Sequence, residues 1–172
     1  MIVWLPQQES LARQYMVSNH LTAADYGKVE ATHTHEGDSV AAVVDGRVPN
    51  TSDDQDQPRW TGLPFKNRGQ NIIVEFDHPR TVGSIAVYWY EEKGGEGERV
   101  RLPRGWWVDY RIGEGEWTRM KTYITDDYGL ERDKFNVVRP AAPLKCDAIS
   151  IRILPQVGFC MGVHEIQLQF DD

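Results

Sequence analysis

Three sets of side chains in this sequence have the composition to do chemistry. Histidine comes first. His33 and His35 stand two residues apart in an alternating segment. On a strand both would face one side and, with a third ligand, could hold a metal such as zinc. No third ligand is visible, which favours a solvated strand face. His164 and the scattered carboxylates form no acid, base or nucleophile constellation. No Gly-x-Ser-x-Gly elbow, phosphate-cradling glycine loop or His-Glu-x-x-His motif occurs. Catalysis by this chain alone therefore has little support.

The second set is oxygen-rich. Val43 to Trp60 carries Asp45, Asp53, Asp54 and Asp56, two prolines and several hydroxyl or amide side chains between an apolar turn and a tryptophan. That is too polar for a core. Calcium takes six to eight oxygens, many of them backbone carbonyls of a turn, with one or two carboxylates. Asp45 before Gly46 sits in such a turn, and Asn50, Thr51 and Ser52 add oxygens nearby. Glu165 enters the last strand and could close the site from across a sheet. The plainer alternative is a turn of solvated carboxylates.

The third set is aromatic. A sugar presents apolar C–H faces and hydroxyl edges, so its site combines an aromatic platform with polar side chains. Arg59-Trp60 ends the polar loop, Tyr90-Glu91-Glu92 opens the next large loop, Arg99 and Arg101 end it, and Phe159 lies in the last one. In a sandwich these turns would cluster at one end. The alternative is that the tryptophans plug the core, the favoured reading for Trp89 and an even one for Trp60.

Elements able to position these groups are short strands. Val29 to His35 reads as a first strand, followed by a single apolar turn, Val40 to Val44, capped by Asp38-Ser39 and ended by Gly46. Asn71 to Phe76 and Val82 to Tyr90 read as two strands joined by a turn at Asp77-His78-Pro79-Arg80. Trp106 to Ile112 alternates a buried and a wetter face, and Gly113-Glu114-Gly115-Glu116 turns into Trp117 to Ile124. Phe135 to Val138, Ala148 to Leu154 and Val163 to Phe170 complete the series. No long helical period follows Val44. Seven or eight strands punctuated by turns predict an all-β antiparallel sandwich or barrel.

The totals narrow the function. The 172 residues suit one domain with an added terminal segment. A formal charge of −7, from 19 basic and 26 acidic residues, argues against nucleic acid, whose binding requires a basic face. No apolar run is long enough to span a membrane. Cys146 and Cys160 form neither a zinc site nor a close-spaced redox motif, so two buried free thiols are favoured over a bridge. The start, Met1 to Pro6, lacks a basic secretion signal. It reads as a piece of something longer, or as a cytoplasmic chain.

Taken in order, Asp45-Gly46 after an apolar turn, the strand Val82 to Trp89, the stretch Trp106 to Trp117, Ile149-Ser150-Ile151-Arg152-Ile153 and Val163-His164-Glu165-Ile166 resemble the discoidin, or coagulation-factor type C, family. That family has a galactose-binding-like jelly-roll fold and includes many carbohydrate-binding modules. The resemblance spans Lys28 to Phe170. The opening Ile2-Val3-Trp4-Leu5-Pro6 is similar to the end of the catalytic region of β-L-arabinofuranosidase-type glycoside hydrolases. Pro58-Arg59-Trp60, Val87-Tyr88-Trp89 and Arg101-Leu102-Pro103 to Trp106 resemble the module that follows it there.

The resemblance implies a linker over residues 1–27 and a jelly-roll β-sandwich module of about eight strands over 28–172. It implies a non-catalytic accessory domain whose partners are carbohydrate and a parent hydrolase, secreted or periplasmic where that parent acts on polysaccharide. It implies structural calcium held by Asp45, neighbouring backbone oxygens and Glu165, although Arg47 stands where the family often has a second acid. Sugar contacts vary within the family, so Arg59, Trp60, Tyr90, Arg101 and Phe159 are expected from loop position. The competing expectation is a structural domain that packs on the parent or a partner subunit without a ligand. Burial of Trp60 and Tyr90 would favour it.

Overall fold

The computed structural model describes residues 26–94, 97 and 99–171. Most of the expected linker over 1–27 lies outside these residues. Tyr26 already belongs to the domain: it is 2% exposed, and its hydroxyl oxygen accepts a hydrogen bond from the Leu168 N–H at 3.2 Å. Gly27 presses against the neighbouring backbone, where a Cβ would lie 2.7 Å from the Glu75 carbonyl oxygen. Only glycine fits that approach.

Eight strands follow: β1 (Lys28–Ala31), β2 (Trp60–Thr61), β3 (Gln70–Tyr90), β4 (Gly105–Arg111), β5 (Thr118–Arg119), β6 (Phe135–Val138), β7 (Leu144–Leu154) and β8 (Gly162–Phe170). All their pairings are antiparallel. The apolar turn expected over Val40–Val44 is a 3₁₀ helix with Ala42, Val43 and Val44 buried. Its Ser39 cap makes no side-chain hydrogen bond. Gly46, at φ 79°, then reverses the chain in a conformation that suits glycine.

β3 organises both layers. Its first half, Gln70 to Glu75, lies between β1 and β7; its second half, Val82 to Tyr90, lies between β6 and β8. One layer thus runs β1-β3-β7-β4-β5 and the other β6-β3-β8-β2. Between the halves the register against β7 shifts between Glu75 and Arg80. Such a bulge bends a strand from one sheet of a sandwich into the other. The turn expected at Asp77–Arg80 is therefore a bulge within a single strand. Pro79 is tolerated there because the ladder pairing is interrupted at its position.

The core lies between the layers. Ile72 and Val74 of β3, Ile149, Ile151 and Ile153 of β7, and Ile166 of β8 are each at most 1% exposed. They meet Ile85, Val87 and Trp89 from the second half of β3. Trp89 and Trp106 pack edge to face at 5.4 Å, a favourable aromatic geometry. Burying each such side chain contributes about 1.5–3 kcal/mol. Cys146 and Cys160 are buried and free.

The polar loop that follows the 3₁₀ helix is anchored rather than loose. The Ser52 carbonyl accepts from the Glu91 N–H at 3.0 Å and lies 3.2 Å from His164 Nε2. Ser52 and Asp133 exchange hydrogen bonds at 2.7 and 2.9 Å. On the same face of β3, Tyr88 packs edge to face with Phe135 and His164. Its buried hydroxyl lacks a partner, and burial pushes its pKa up to about 12.

Candidate functional site

Loops from both layers meet at one end of the sandwich. The His35 N–H bonds the Thr61 carbonyl at 3.3 Å, Gly62 bonds Met161 at 3.0 Å, and Asn67 bonds Phe159 at 3.2 Å. Arg101 donates to Cys160 at 3.2 Å, and Cys160 to Arg99 at 2.8 Å. Between these segments lies a cleft of about 230 Å³, lined by residues that include His35, Asp38, Arg59, Thr61, Leu63, Tyr90, Glu92 and Arg99.

Several of its polar groups are held by the protein. The Arg59 guanidinium lies 4.4 Å from the Tyr90 ring centroid, and its Nη1 donates to the carbonyls of Gln55 at 2.9 Å and Gln57 at 3.3 Å. Burial raises the Tyr90 phenol, against the opposing pull of Arg59. The Glu92 carboxylate accepts from the backbone N–H of Arg99, from that of Val100 at 3.2 Å, and from Arg99 Nη2 at 3.1 Å. The Thr61 hydroxyl donates to Asp38 Oδ2. The lining combines guanidinium donors with carboxylate acceptors. Hydroxyls both donate and accept, so this mixture suits a neutral polyhydroxylated ligand more than an ion of either sign.

The five residues expected to touch sugar separate into three groups. Arg59 and Tyr90 meet at the cleft. Tyr90 is 2% exposed, with Arg59 over its ring and the His164 ring 5.0 Å away edge to face. It is a wall rather than an open stacking platform. Trp60 needs correction: it is 0% exposed in the core, paired with Val163, and its Nε1 donates to the His33 carbonyl at 2.8 Å. A ring so enclosed offers no face to a ligand. Arg101 and Phe159 form a half-buried pair beside the cleft, with the guanidinium 3.9 Å from the ring centroid.

Sequence spacing marks Asp38 only as part of a cap, does not mark Thr61, and offers His35 only for catalysis or metal binding. Their signal is the pairing of the 32–39 segment with β2, which sequence spacing does not reveal. The two histidines weighed as metal ligands part company. His33 Nε2 lies 2.8 Å from the Leu63 carbonyl, while His35 lines the cleft. Among the described residues no three His, Cys, Asp or Glu side chains group to hold a metal ion.

At the other end of the polar loop, Asp45 and Glu165 come together across the fold. Glu165 is 1% exposed, and its Oε1 accepts from the Gly46 N–H at 3.1 Å. Its Oε2 is buried without a partner. Burial first, and the charge of Asp45 second, push its pKa up to about 9. Asp45 Oδ1 accepts from the Arg47 N–H at 2.8 Å. A buried carboxylate oxygen with no donor, close to a second acid, fits a hard cation chemically. Two carboxylates make only part of a calcium shell, so the other oxygens would come from backbone carbonyls or water.

The class is defined by this architecture: a discoidin-like β-sandwich with the galactose-binding-like fold. No protein-family model matches the chain, and no curated protein matches it. Solved structures do. A structure of the Streptococcus pneumoniae β-galactosidase BgaA superposes with TM-score 0.64 at 18% identity, covering 81% of this chain and 89% of that one. The family 32 carbohydrate-binding module of Clostridium perfringens NanJ, in complex with galactose, gives 0.62 at 17%, covering 85% and 94%. A further Clostridium perfringens module, in complex with GalNAc-β-1,3-galactose, gives 0.61 at 13%, covering 86% and 97%. At these identities the likeness is one of fold.

Proposed function

We propose that this domain is a non-catalytic carbohydrate-binding accessory module of a larger glycoside hydrolase, holding that enzyme near a plant or microbial polysaccharide. The cleft carries the reading: guanidinium donors of Arg59 and Arg99 face carboxylate acceptors of Asp38 and Glu92 beside the Tyr90 wall. Solved modules of the same fold hold galactose and GalNAc-β-1,3-galactose, which supports it. Arg101 and Phe159 extend the contact surface beyond the cleft, with Phe159 the only aromatic of the expected five still partly open. Calcium joins Asp45 to Glu165 as a structural staple. The Glu165 oxygen without a partner supports that assignment.

Affinity electrophoresis in gels containing arabinose- and galactose-rich polymers tests the proposal. Retardation of the chain with calcium present, reduced in Arg99→Ala, is the expected result. Absence of retardation by any glycan, with the fold intact, would reject it.

One observation favours a second reading. Trp60 and Tyr90, the aromatics whose exposure distinguishes the two ideas, are both buried. A domain that only packs on a parent enzyme would show this, and exposed Ile112, Ile124 and Val157 would then supply contacts. On that reading, removing the domain destabilises the parent without changing its retention on polymer.

A further inference from the structure

Beside the cleft lies a second pocket of about 180 Å³, lined by Thr32, His33, Phe65, Arg68 and Gln70. It shares both of its supporting segments with the cleft. His33 precedes His35 by two residues, and Phe65 follows Leu63 by two, so moving two residues along either segment leads from one pocket to the other. His33 Nε2, 2.8 Å from the Leu63 carbonyl, ties the segments together between them.

This pocket has the aromatic surface that the cleft lacks. Phe65 is 39% exposed. Its ring is held edge to face by His33 at 4.6 Å, with the Arg68 guanidinium 5.5 Å from its centroid. The Phe65 N–H donates to the Gly62 carbonyl at 3.1 Å, which fixes the turn carrying the ring. Gln70, which lines the pocket, is 3% exposed; its Nε2 donates to the Gly62 carbonyl at 2.9 Å, and its Oε1 is buried without a partner. A fixed, partly open ring beside a guanidinium and an amide is suited to the apolar face and hydroxyl edge of a sugar. Each pocket is smaller than the roughly 300 Å³ at which sites for drug-sized ligands begin. Each therefore suits a single ring.

We infer that the ligand is an oligosaccharide rather than a monosaccharide: one residue occupies the cleft and a neighbouring residue lies against Phe65 in the second pocket. This inference rests on the sugar-binding reading of the cleft. It assigns Phe65, Arg68 and Gln70 as specificity determinants for chain length and linkage.

Calorimetric titration of the full chain, with calcium, separates the two ideas. The probes are galactose and arabinose on one hand, and short oligosaccharides released from arabinogalactan on the other. The wild type is expected to bind oligosaccharides more tightly than either monosaccharide. Phe65→Ala should lower oligosaccharide affinity about two- to tenfold, the range of one aromatic contact, and leave monosaccharide affinity unchanged. Arg99→Ala should weaken both. Phe65 is exposed, so an unchanged melting temperature checks that its variant folds; Arg68→Ala gives an independent second variant. If Phe65→Ala and Arg68→Ala bind oligosaccharides as the wild type does while Arg99→Ala does not, the second pocket is refuted and the cleft stands. If the folded wild type binds none of the probes, the cleft reading fails and the inference fails with it.

Discussion

The two ends of the loop from Val43 to Trp60 hold acids under opposite conditions. At the far end Glu92, on the rim of the cleft, is satisfied by the protein: two backbone N–H groups and the Arg99 guanidinium meet its carboxylate. At the near end Glu165 is buried with a single N–H donor and one oxygen without any partner. A satisfied carboxylate shapes a surface without needing anything more. A buried, half-satisfied one is costly unless it stays protonated or a cation arrives. On the proposed function the first region suits a neutral ligand and the second a cation, and in each case the glutamate reaches the loop from another part of the chain.

The sharpest challenge to this division is Trp60→Ala. If Trp60 anchors the loop in the core, the change should cost about 3–5 kcal/mol of stability, as for other buried large-to-alanine changes. Denaturant unfolding measures it. Loss of sugar binding with stability unchanged would instead return Trp60 to the ligand surface.

Next in size is the effect of calcium. Saturating calcium should raise the melting temperature by roughly 5 °C, and Glu165→Gln should abolish the rise. Scanning fluorimetry with calcium and with chelator checks this. The pH dependence follows from the same group. Its folded pKa of about 9 lies above the ordinary 4.5, so without metal the folded state binds a proton that the unfolded state has released. Metal-free stability should therefore fall as pH rises from about 4.5 toward 9, and Glu165→Gln should flatten that slope. Buried His164 acts in the opposite sense. Burial lowers its pKa below the ordinary 6.5, so its contribution declines as pH drops below 6.5 toward the lowered folded value.

Arg99→Ala should have the smallest effect on the fold and a specific one on the cleft. Arg99 is exposed, and its ion pair with Glu92 is worth about 0–1 kcal/mol at such a position. Sugar affinity should nevertheless fall roughly tenfold, as expected for losing one charged hydrogen bond to a ligand. Equal losses of stability and affinity would indicate a purely structural role.

Much of the fold is legible in the sequence because alternation and turn residues act locally. The β4 face, the closing strand and the 3₁₀ turn ended by Gly46 are all readable that way. Asp77-His78-Pro79-Arg80 misleads, since a polar, proline-bearing run has the same composition in a turn and in a bulge; only pairing with β7 on both sides distinguishes them. Trp60 misleads for a related reason. Its neighbours are polar, but two residues of β2 suffice to draw its ring into the core. Arg59 and Tyr90 meet because their loops share one end of the sandwich. Their exposure was not legible, because it depends on how Arg59 and His164 cover the ring.

The most direct test of sugar binding in the cleft is affinity electrophoresis of wild type and Arg99→Ala in arabinogalactan gels with calcium. The account predicts retardation of the wild type and its marked reduction in the variant, at equal melting temperature. Equal mobility of both folded proteins in gels with and without polymer would contradict it.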